Sequence, residues 1–524
     1  MKNTANKAAA EKRGMGVQVA RNSVFGAIQA VISIIALFFI TPYVLNTLGI
    51  ESYAVWALVG LITAYGMLSD FGLTKALVYF IPKARIEGGI EKINVLVSTA
   101  MSFYLIAVSI SMVILLLLRM VIVIYLFRVP EYLIDESIFV VTGAVLIFGI
   151  TILSGVFNSV LYGYQRVDIA SIILTAYSIL DPIGIFIVLK LGYGLPGMIV
   201  SRLITTILMT LVIWIAAKKI APGLKYNPKL GNRNDFKSIF TYGINTQVET
   251  VAWILSTSIT KLLLPSLVGL SSVTYFHLAW RIRMRARTLF VGALSSVTPA
   301  AAQLFAVNDM QRLRRLYFRS LRYVFLFALP LYLLIAILSQ SFVSIWLGEG
   351  YDLVAITIIL LSIPGFFGLL YNSATEILKG IGKVRPIAIV SAGSVAGNLV
   401  ISLVLGKLFG YFGVVIGSVI VTLFASYILI RICNIQLGAS FIEISRHLSL
   451  GAILLALLLA IPVVVAINFT ANMGDKFNLI VIGTGYVICY FAGIVGLRLL
   501  DNMDLSLINK LMPNWVPIKW FFRV

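Results

Sequence analysis

The hydrophobic positions of this chain fall into long runs, each about the length of a membrane-crossing helix. A helix rises ~1.5 Å per residue, so ~20 apolar residues cross the ~30 Å of hydrocarbon in a bilayer. Fourteen such runs lie between residues 22 and 498. We predict spans at 22–44, 52–74, 94–118, 137–160, 169–189, 195–217, 240–264, 271–299, 319–340, 354–378, 385–406, 411–433, 448–468 and 478–498. The pattern predicts an all-α integral membrane protein.

The composition agrees with this prediction and excludes a soluble protein. Of 524 residues, 60% are hydrophobic and 12% are charged, and the mean hydropathy is +1.02. The two cysteines, Cys433 and Cys489, lie in different predicted helices, which gives no support to a disulfide framework or a metal site.

The net charge of +21 is distributed unevenly between the two sides of the membrane. Counted by predicted segment, 29 Lys and Arg residues lie on the side of the termini and five lie in the alternate loops. Basic loops stay cytoplasmic, so both termini are predicted to be cytoplasmic. These loops are expected to contact anionic headgroups, and no nucleic-acid partner is expected.

An internal repeat divides the chain. The motif L-x-G-x-x-[RK]-V occurs first as "LYGYQRV" (Leu161–Val167) and again as "LKGIGKV" (Leu378–Val384). Glycines pair at nearly the same offset, Gly49 with Gly269 and Gly192 with Gly410. Because the offset spans six helices, an even number, the halves share an orientation and form two pseudo-twofold lobes. Parallel repeats of this kind are a transporter architecture, with the substrate path between them.

The repeat and the loop composition predict the domain organisation. The linker "KKIAPGLKYNPKLGNRNDFK" (Lys218–Lys237) is rich in Pro, Gly and Asn and lies between the two lobes. The predicted segments are a cytoplasmic N-terminal segment at 1–21, an N-lobe at 22–217, a linker at 218–239, a C-lobe at 240–433, two extra helices at 434–498 and a cytoplasmic tail at 499–524. Within the C-lobe, the G-x-x-x-G spacings Gly393/Gly397 and Gly413/Gly417 predict close helix approach.

Seven cations and four acids remain inside the predicted spans. The cations are Lys75, Arg202, Lys261, Arg281, Arg283, Arg285 and Arg287, and the acids are Asp70, Asp181, Glu249 and Glu376. A charge at the bilayer centre costs about 2.5 to 3.5 kcal/mol on insertion scales, so these side chains must face protein or water. The excess of cations predicts a central cationic cavity and favours an anionic substrate.

The eighth span contains the four arginines, in "AWRIRMRARTLF" (Ala279–Phe290). On a continuous helix, His277, Arg281, Arg285 and Thr288 form one stripe, and Arg283 and Arg287 lie on the roughly opposite face. An alternative makes Arg281–Arg287 a cytoplasmic loop, but it would place the basic run "RLRRLYFRSLR" (Arg312–Arg322) outside, against the charge asymmetry. We therefore expect a continuous helix.

The arginine stripe indicates an anion-binding site. Planar guanidinium groups bind phosphate oxygens bidentately and stay charged at any working pH. We favour Arg281 and Arg285 as the substrate-binding pair, with His277, Arg202 and Lys261 as helpers; Arg202 and Lys261 could instead be structural ion pairs or interfacial residues. Arg283 and Arg287 would pair with acids or reach the headgroups. The pattern alone leaves open which pair faces the cavity.

The acids suggest a coupling site. A carboxylate in the membrane can load and release a proton or Na⁺, which makes Asp181, Glu249 and Glu376 candidates for an ion-coupling role. The alternative is that these acids neutralise the arginines. No catalytic residue, no metal site, no nucleotide-binding segment and no cofactor other than H⁺ or Na⁺ as coupling ion is expected, so the chain is predicted not to be an enzyme.

Four segments resemble a known family. They are "LGIESYAVWALVGLITAYGMLSDFGLTKALVYFIPK" (Leu48–Lys83), "VLYGYQRVD" (Val160–Asp168), "SSVTPAAAQLFAVND" (Ser295–Asp309) and "ILKGIGKVRP" (Ile377–Pro386). They resemble the polysaccharide branch, the Wzx-type flippases, of the multidrug/oligosaccharidyl-lipid/polysaccharide (MOP) exporter superfamily. The resemblance covers nearly the whole chain. "SYAVW" in the second helix departs from a Tyr-Gly common in relatives, and the arginine run is unusually dense.

The resemblance implies a function and partners. A flippase of this branch moves an undecaprenyl-diphosphate-linked oligosaccharide across the bacterial inner membrane by alternating access, for O-antigen, capsule or exopolysaccharide synthesis. Expected partners are this lipid, the bilayer, and polymerase and chain-length proteins of the same pathway. Family members bind the diphosphate with basic cavity residues, and Arg281 and Arg285 occupy the corresponding helix. The alternatives are a lipid II flippase or a cation-coupled drug antiporter; an O-antigen polymerase or glycosyltransferase would need an acidic motif or a large outward loop.

Overall fold

The computed structural model describes residues 2–440, 443, 450–469, 474–501 and 504, with side chains from residue 31 onward except at 65, 233–234, 245–246, 248–250, 252–253, 256–257 and 468. These residues form helices joined by short turns, and no strand occurs among them. Helices satisfy their backbone hydrogen bonds internally, as hydrocarbon requires. The predicted all-α membrane architecture is confirmed. Contacts divide the chain into two compact units, Met1–Thr274 and Tyr275–Val524.

The first unit contains seven helices. They are α1 (Lys2–Gly66), α2 (Leu73–Glu87), α3 (Gly89–Val121), α4 (Ile134–Gly163), α5 (Val167–Lys190), α6 (Gly194–Ile220) and α7 (Arg233–Leu267). A 3-10 turn at Met67–Asp70 separates α1 from α2, and a π-turn at Ile122–Leu126 extends α3. The core is built from fully buried side chains of α2, α3 and α4, including Leu77, Tyr104 and Phe148.

The second unit contains most of α8 and the helices after it. They are α8 (Ser271–Ser295), α9 (Val297–Ala306), α10 (Met310–Tyr323), α11 (Leu329–Ile337), α12 (Ser339–Leu347), α13 (Asp352–Gly380), α14 (Val384–Leu437), α15 (Leu450–Phe469) and α16 (Asp475–Gly496). A π-turn at Val324–Ala328 joins α10 to α11. Its Leu326 carbonyl accepts a hydrogen bond of 2.8 Å from the Tyr490 hydroxyl, which helps to dock α15 and α16.

The helices account for the predicted number of spans. Among the described residues, eleven helical segments are long and apolar enough to cross a membrane. Two of them contain a glycine with non-helical backbone angles, Gly49 in α1 and Gly410 in α14, so each comprises two helices. The 35-residue α7 is a further helix of spanning length. Counting these separately gives fourteen.

The boundary between the contact units differs from the predicted linker. It falls at Thr274 because α7 packs against α2 and α3 within the first unit. This division does not test where the lobes begin, so the lobes at 22–217 and 240–433 stay a prediction. The predicted tail at 499–524 lies outside the described residues except for 499–501 and 504, and the segment at 1–21 has no described side chains.

The internal repeat is visible in the backbone of the turns. Residues with left-handed φ in the first half recur at nearly one offset in the second: Gly49 with Gly269, Gly89 with Asn308, Arg128 with Gly348, Gln165 with Gly382, Gly192 with Gly410, and Gly223 with Gly438. A left-handed φ is uncommon outside glycine, so a shared pattern of six is strong evidence for a shared chain path. Turns of the two repeats thus share a positive φ at these equivalent positions.

The repeated motif also makes the same contact in each unit. A Cβ at Gly163 would lie 2.6 Å from Cγ2 of Ile81, and a Cβ at Gly380 would lie 2.5 Å from Cβ of Ala301. The two glycines are equivalent positions of the motif, and their partners Ile81 and Ala301 are separated by nearly the same offset. The motif glycine is required because α2 in the first unit, or α9 in the second, packs directly on it.

Candidate functional site

The arginine-rich segment is a single helix. α8 runs without interruption from Ser271 to Ser295, through all four arginines. The continuous helix is confirmed, and the alternative that made Arg281–Arg287 a loop is wrong.

One face of α8 packs inside the second unit. Ala286 and Leu294 of α8 are buried in the core cluster of this unit. Arg283 and Arg287 flank this face. The Tyr332 hydroxyl of α11 donates to the Arg283 carbonyl at 3.5 Å, and Arg287 Nη2 donates to Asn372 Oδ1 of α13 at 3.2 Å. Arg283 and Arg287 therefore belong to the packed side of α8, and Arg287 has an amide, Asn372, as a partner.

The predicted stripe lies on the opposite side of α8. At 100° per residue, His277, Arg281 and Arg285 point away from Ala279 and Ala286. All three stripe residues are partly exposed, and Thr288, which continues the stripe, is exposed. Arg285 is within electrostatic range of Arg281. The structure therefore presents two neighbouring, partly exposed guanidinium groups along the predicted stripe of α8.

Two predicted site residues of the first unit pair with each other. Arg202 of α6 forms a two-pronged ion pair with Asp181 of α5, with Nε–Oδ1 at 3.1 Å and Nη2–Oδ2 at 2.8 Å. The guanidinium also lies over the ring of Trp56, 4.4 Å from its centroid. A bidentate pair of this kind is strong and directional. Arg202, predicted as a helper in substrate binding, thus pairs with Asp181, predicted as a coupling acid. This arrangement matches the alternative that Arg202 is part of a structural ion pair.

The remaining predicted residues have separate environments. Glu376 of α13 accepts a hydrogen bond from the Thr298 hydroxyl and forms an ion pair with Lys379 at 3.4 Å. Lys261 of α7 is buried. Glu249 lies on α7, and its side chain is outside the described residues. The roles assigned to these three residues stay predictions.

The structure also reveals a polar cluster that sequence analysis did not select. Asp70 was counted among the membrane acids, but the hydropathy pattern does not predict that the helix breaks there. The Asp70 side chain is buried, and it accepts hydrogen bonds from the Tyr104 and Thr74 hydroxyls at 2.5 and 2.9 Å. The only sequence signal is the glycine that follows it, in "SDFGL" (Ser69–Leu73).

Known structures identify the class of protein. The chain resembles an inward-facing multidrug resistance transporter of the MATE family in the MOP superfamily, with a TM-score of 0.68, 16% identity, and coverage of 78% of this chain and 98% of that one. It also resembles the lipid II flippase MurJ in an inward closed conformation, with a TM-score of 0.69, 14% identity, and coverage of 91% and 99%. The chain has the fold of a membrane transporter of the MOP superfamily.

Sequence comparison narrows the class to a family. Residues 19–305 match the family described as "Polysaccharide biosynthesis protein", and residues 248–404 match the MatE family. The chain belongs to the polysaccharide biosynthesis protein family, the flippase branch of the MOP superfamily. A curated relative, the "Putative O-antigen transporter" of Shigella flexneri, is 22% identical over 435 residues, which cover 80% of this chain and 99% of the relative. The predicted family is confirmed.

Proposed function

We propose that this chain moves an undecaprenyl-diphosphate-linked oligosaccharide from the inner to the outer leaflet of the bacterial inner membrane by alternating access. The product would serve the synthesis of O-antigen, capsule or another surface polysaccharide. Membership of the polysaccharide family supports the class of substrate. The charge asymmetry of the loops supports cytoplasmic termini.

The single observation that carries the proposal is the stripe of α8. Arg281 and Arg285 lie one helical turn apart, and both are partly exposed. Two like charges at this spacing repel each other, and a doubly charged diphosphate between them removes the repulsion. Arg281 and Arg285 bind the diphosphate, with His277 in the same stripe. Arg202 and Lys261 are secondary, because Arg202 already has a carboxylate partner.

Export needs a driving force, and the chain contains acidic side chains that are candidates for coupling export to an ion gradient. An H⁺ or Na⁺ gradient, or consumption of the flipped lipid by polymerase and chain-length proteins of the same pathway, would make export directional. Of the acids predicted to couple, Asp181 and Glu376 have cationic partners. They support coupling only if a step of the cycle breaks those pairs.

The test is removal of both stripe charges. In proteoliposomes, flipping of an undecaprenyl-diphosphate-linked oligosaccharide by the Arg281→Gln/Arg285→Gln variant is expected to fall by about 100-fold or more, since each charged hydrogen bond contributes roughly 1.5–3 kcal/mol. Arg312→Gln/Arg315→Gln removes two exposed arginines of α10 and serves as the matched control. Wild-type flipping by the stripe variant would reject this assignment.

The same vesicles separate the competing functions. Lipid II and a cationic drug are offered in place of the oligosaccharide lipid. Preferential flipping of lipid II, or drug efflux that survives loss of the stripe, would replace the proposed substrate with that alternative.

A further inference from the structure

The second membrane span is broken within the first unit. α1 ends at Gly66, the 3-10 turn covers Met67–Asp70, and Phe71 and Gly72 have left-handed φ values of 47° and 73°. A Cβ at Gly72 would overlap the Gly243 carbonyl oxygen of α7. The break is therefore held tightly against α7, and its geometry is fixed by backbone contact.

Asp70 has an unusual environment in this break. Its side chain is 8% exposed, and its hydrogen-bond donors are Tyr104 of α3 and both the hydroxyl and the backbone N–H of Thr74. All of these donors are neutral. Within the described part of the chain, no cation forms an ion pair with Asp70, whereas Asp181 and Glu376 each have one. Asp70 is the described membrane acid whose charge is not compensated.

A second polar group at the break lacks a partner. Gln247, one helical turn after Gly243 on α7, is 6% exposed, and its amide nitrogen donates to the Met67 carbonyl at 3.0 Å. Its Oε1 is buried and has no hydrogen-bond partner among the described residues. A buried acceptor without a partner is destabilising. The same break thus holds an uncompensated carboxylate and an unused amide oxygen.

We propose that the break at 67–72 is a binding site for one positive charge, a proton or Na⁺, with Asp70 as the anionic ligand and the Gln247 amide oxygen as a second acceptor. A buried carboxylate without a cation is costly, and neutralisation removes that cost. The broken backbone adds carbonyl oxygens, a common element of cation sites in transporters. The role of Asp70 as the coupling site rests on the proposed function, because it identifies the group that binds the coupling ion.

The titratable groups around the break are few. α1, α3, α4 and α7 pack against it. α3 contributes Tyr104; α1 and α4 contribute Gly66 and Phe148, which are in contact and carry no charge. On α2, Lys75 is exposed and lies more than one turn beyond Asp70. On α7, Glu249 has a side chain outside the described residues, so the test includes it.

The experiment measures protonation directly, without the lipid substrate. The full-length protein in nanodiscs is titrated with pH and followed by difference infrared spectroscopy, which detects the carbonyl stretch of a protonated carboxyl group. We expect a titrating band that Asp70→Asn abolishes and that Glu249→Gln and the control Asp235→Asn retain; Asp235 pairs with Lys92 outside the break.

The outcomes separate this inference from the proposed function. A band that survives in Asp70→Asn, or that Glu249→Gln abolishes, overturns the assignment. Addition of Na⁺ at fixed pH distinguishes the two ions, because a band suppressed by Na⁺ identifies a site for both and an unaffected band identifies a proton site. Binding of undecaprenyl diphosphate to the same nanodiscs, measured separately, tests the α8 stripe and is expected to be retained in Asp70→Asn.

Discussion

The two limbs of α14 provide a matched pair of glycines for a stability prediction. The limbs meet at Gly410, whose φ and ψ are 58° and −133°. A Cβ at Gly417 would lie 2.7 Å from Cα and 2.9 Å from N of Ser402 on the other limb. A Cβ at Gly393 would meet nothing within 4 Å. The prediction of close helix approach at the G-x-x-x-G spacings is confirmed for Gly413/Gly417 and wrong for Gly393. We therefore compare two variants, Gly417→Ala and Gly393→Ala.

The expected magnitude follows from these distances. Ordinary contact begins at 3.4 Å, and Ser402 presents backbone atoms that cannot rotate away. Gly417→Ala must therefore separate the limbs by several tenths of an ångström, and overpacking of this kind costs about 1–3 kcal/mol. Both variants gain the same helix propensity, up to about 1 kcal/mol. The difference between Gly417→Ala and Gly393→Ala isolates the overpacking, at about 1–3 kcal/mol.

Thermal unfolding of the purified full-length protein in detergent measures this difference. Tryptophan fluorescence at one scan rate gives an apparent Tm for each variant. Gly393→Ala is expected to match or exceed the wild type, and Gly417→Ala to lie several degrees below it. Equal Tm values for the two variants, or a lower value for Gly393→Ala, would refute the inference that the limbs are packed at backbone contact.

Two further predictions concern ion pairs, and the same unfolding assay reads both. Asp181→Asn leaves Arg202 without its carboxylate and should destabilise the protein by about 1–3 kcal/mol, less than the loss of a fully buried pair because Arg202 is partly exposed. The double variant Asp181→Asn/Arg202→Gln should cost less than the sum of the two single changes. Strict additivity of the three values would contradict the pairing. Asp504 accepts hydrogen bonds from Arg322 at 2.9 Å and from Tyr323 at 2.9 Å, and Asp504→Asn weakens both. We expect this variant to lower the stability of the protein by about 1–3 kcal/mol and to speed hydrogen exchange at the C-terminal end of α16. Unchanged exchange there would show that Asp504 does not anchor this end of the helix.

The sequence predicts the helices well because hydrocarbon imposes one requirement on all of them. The fifth span, predicted at 169–189, is Val167–Lys190 in the structure, since its limits follow from where apolar residues end. The break at Met67–Asp70 is not predictable in this way, because it lies inside an apolar run and hydropathy carries no information on φ. A glycine is needed at position 72 because Gly243 of α7 packs against it, and Gly243 is remote from Gly72 along the chain.

In the candidate site, too, some features are predictable from the sequence and others depend on how the helices pack. The stripe of Arg281 and Arg285 is predictable because residues four apart share a helix face whatever surrounds the helix. That Arg283 and Arg287 lie on the packed face depends on α11 and α13, and that Asp181 binds Arg202 depends on how α5 meets α6. These are facts of packing between helices, which one sequence does not contain.

The break in the second span has a consequence for the electrical behaviour of transport. At the offset that pairs Gly49 with Gly269, Asp70 corresponds to Phe290, which lies within the uninterrupted α8. A feature carried by one repeat and lost from the other cannot act twice in a cycle. If Asp70 carries the coupling ion, that ion contributes at most one elementary charge for each lipid exported, beside the two negative charges of the diphosphate. Uptake of the coupling ion and lipid export, counted in the same vesicles, should then keep a one-to-one ratio at every driving force.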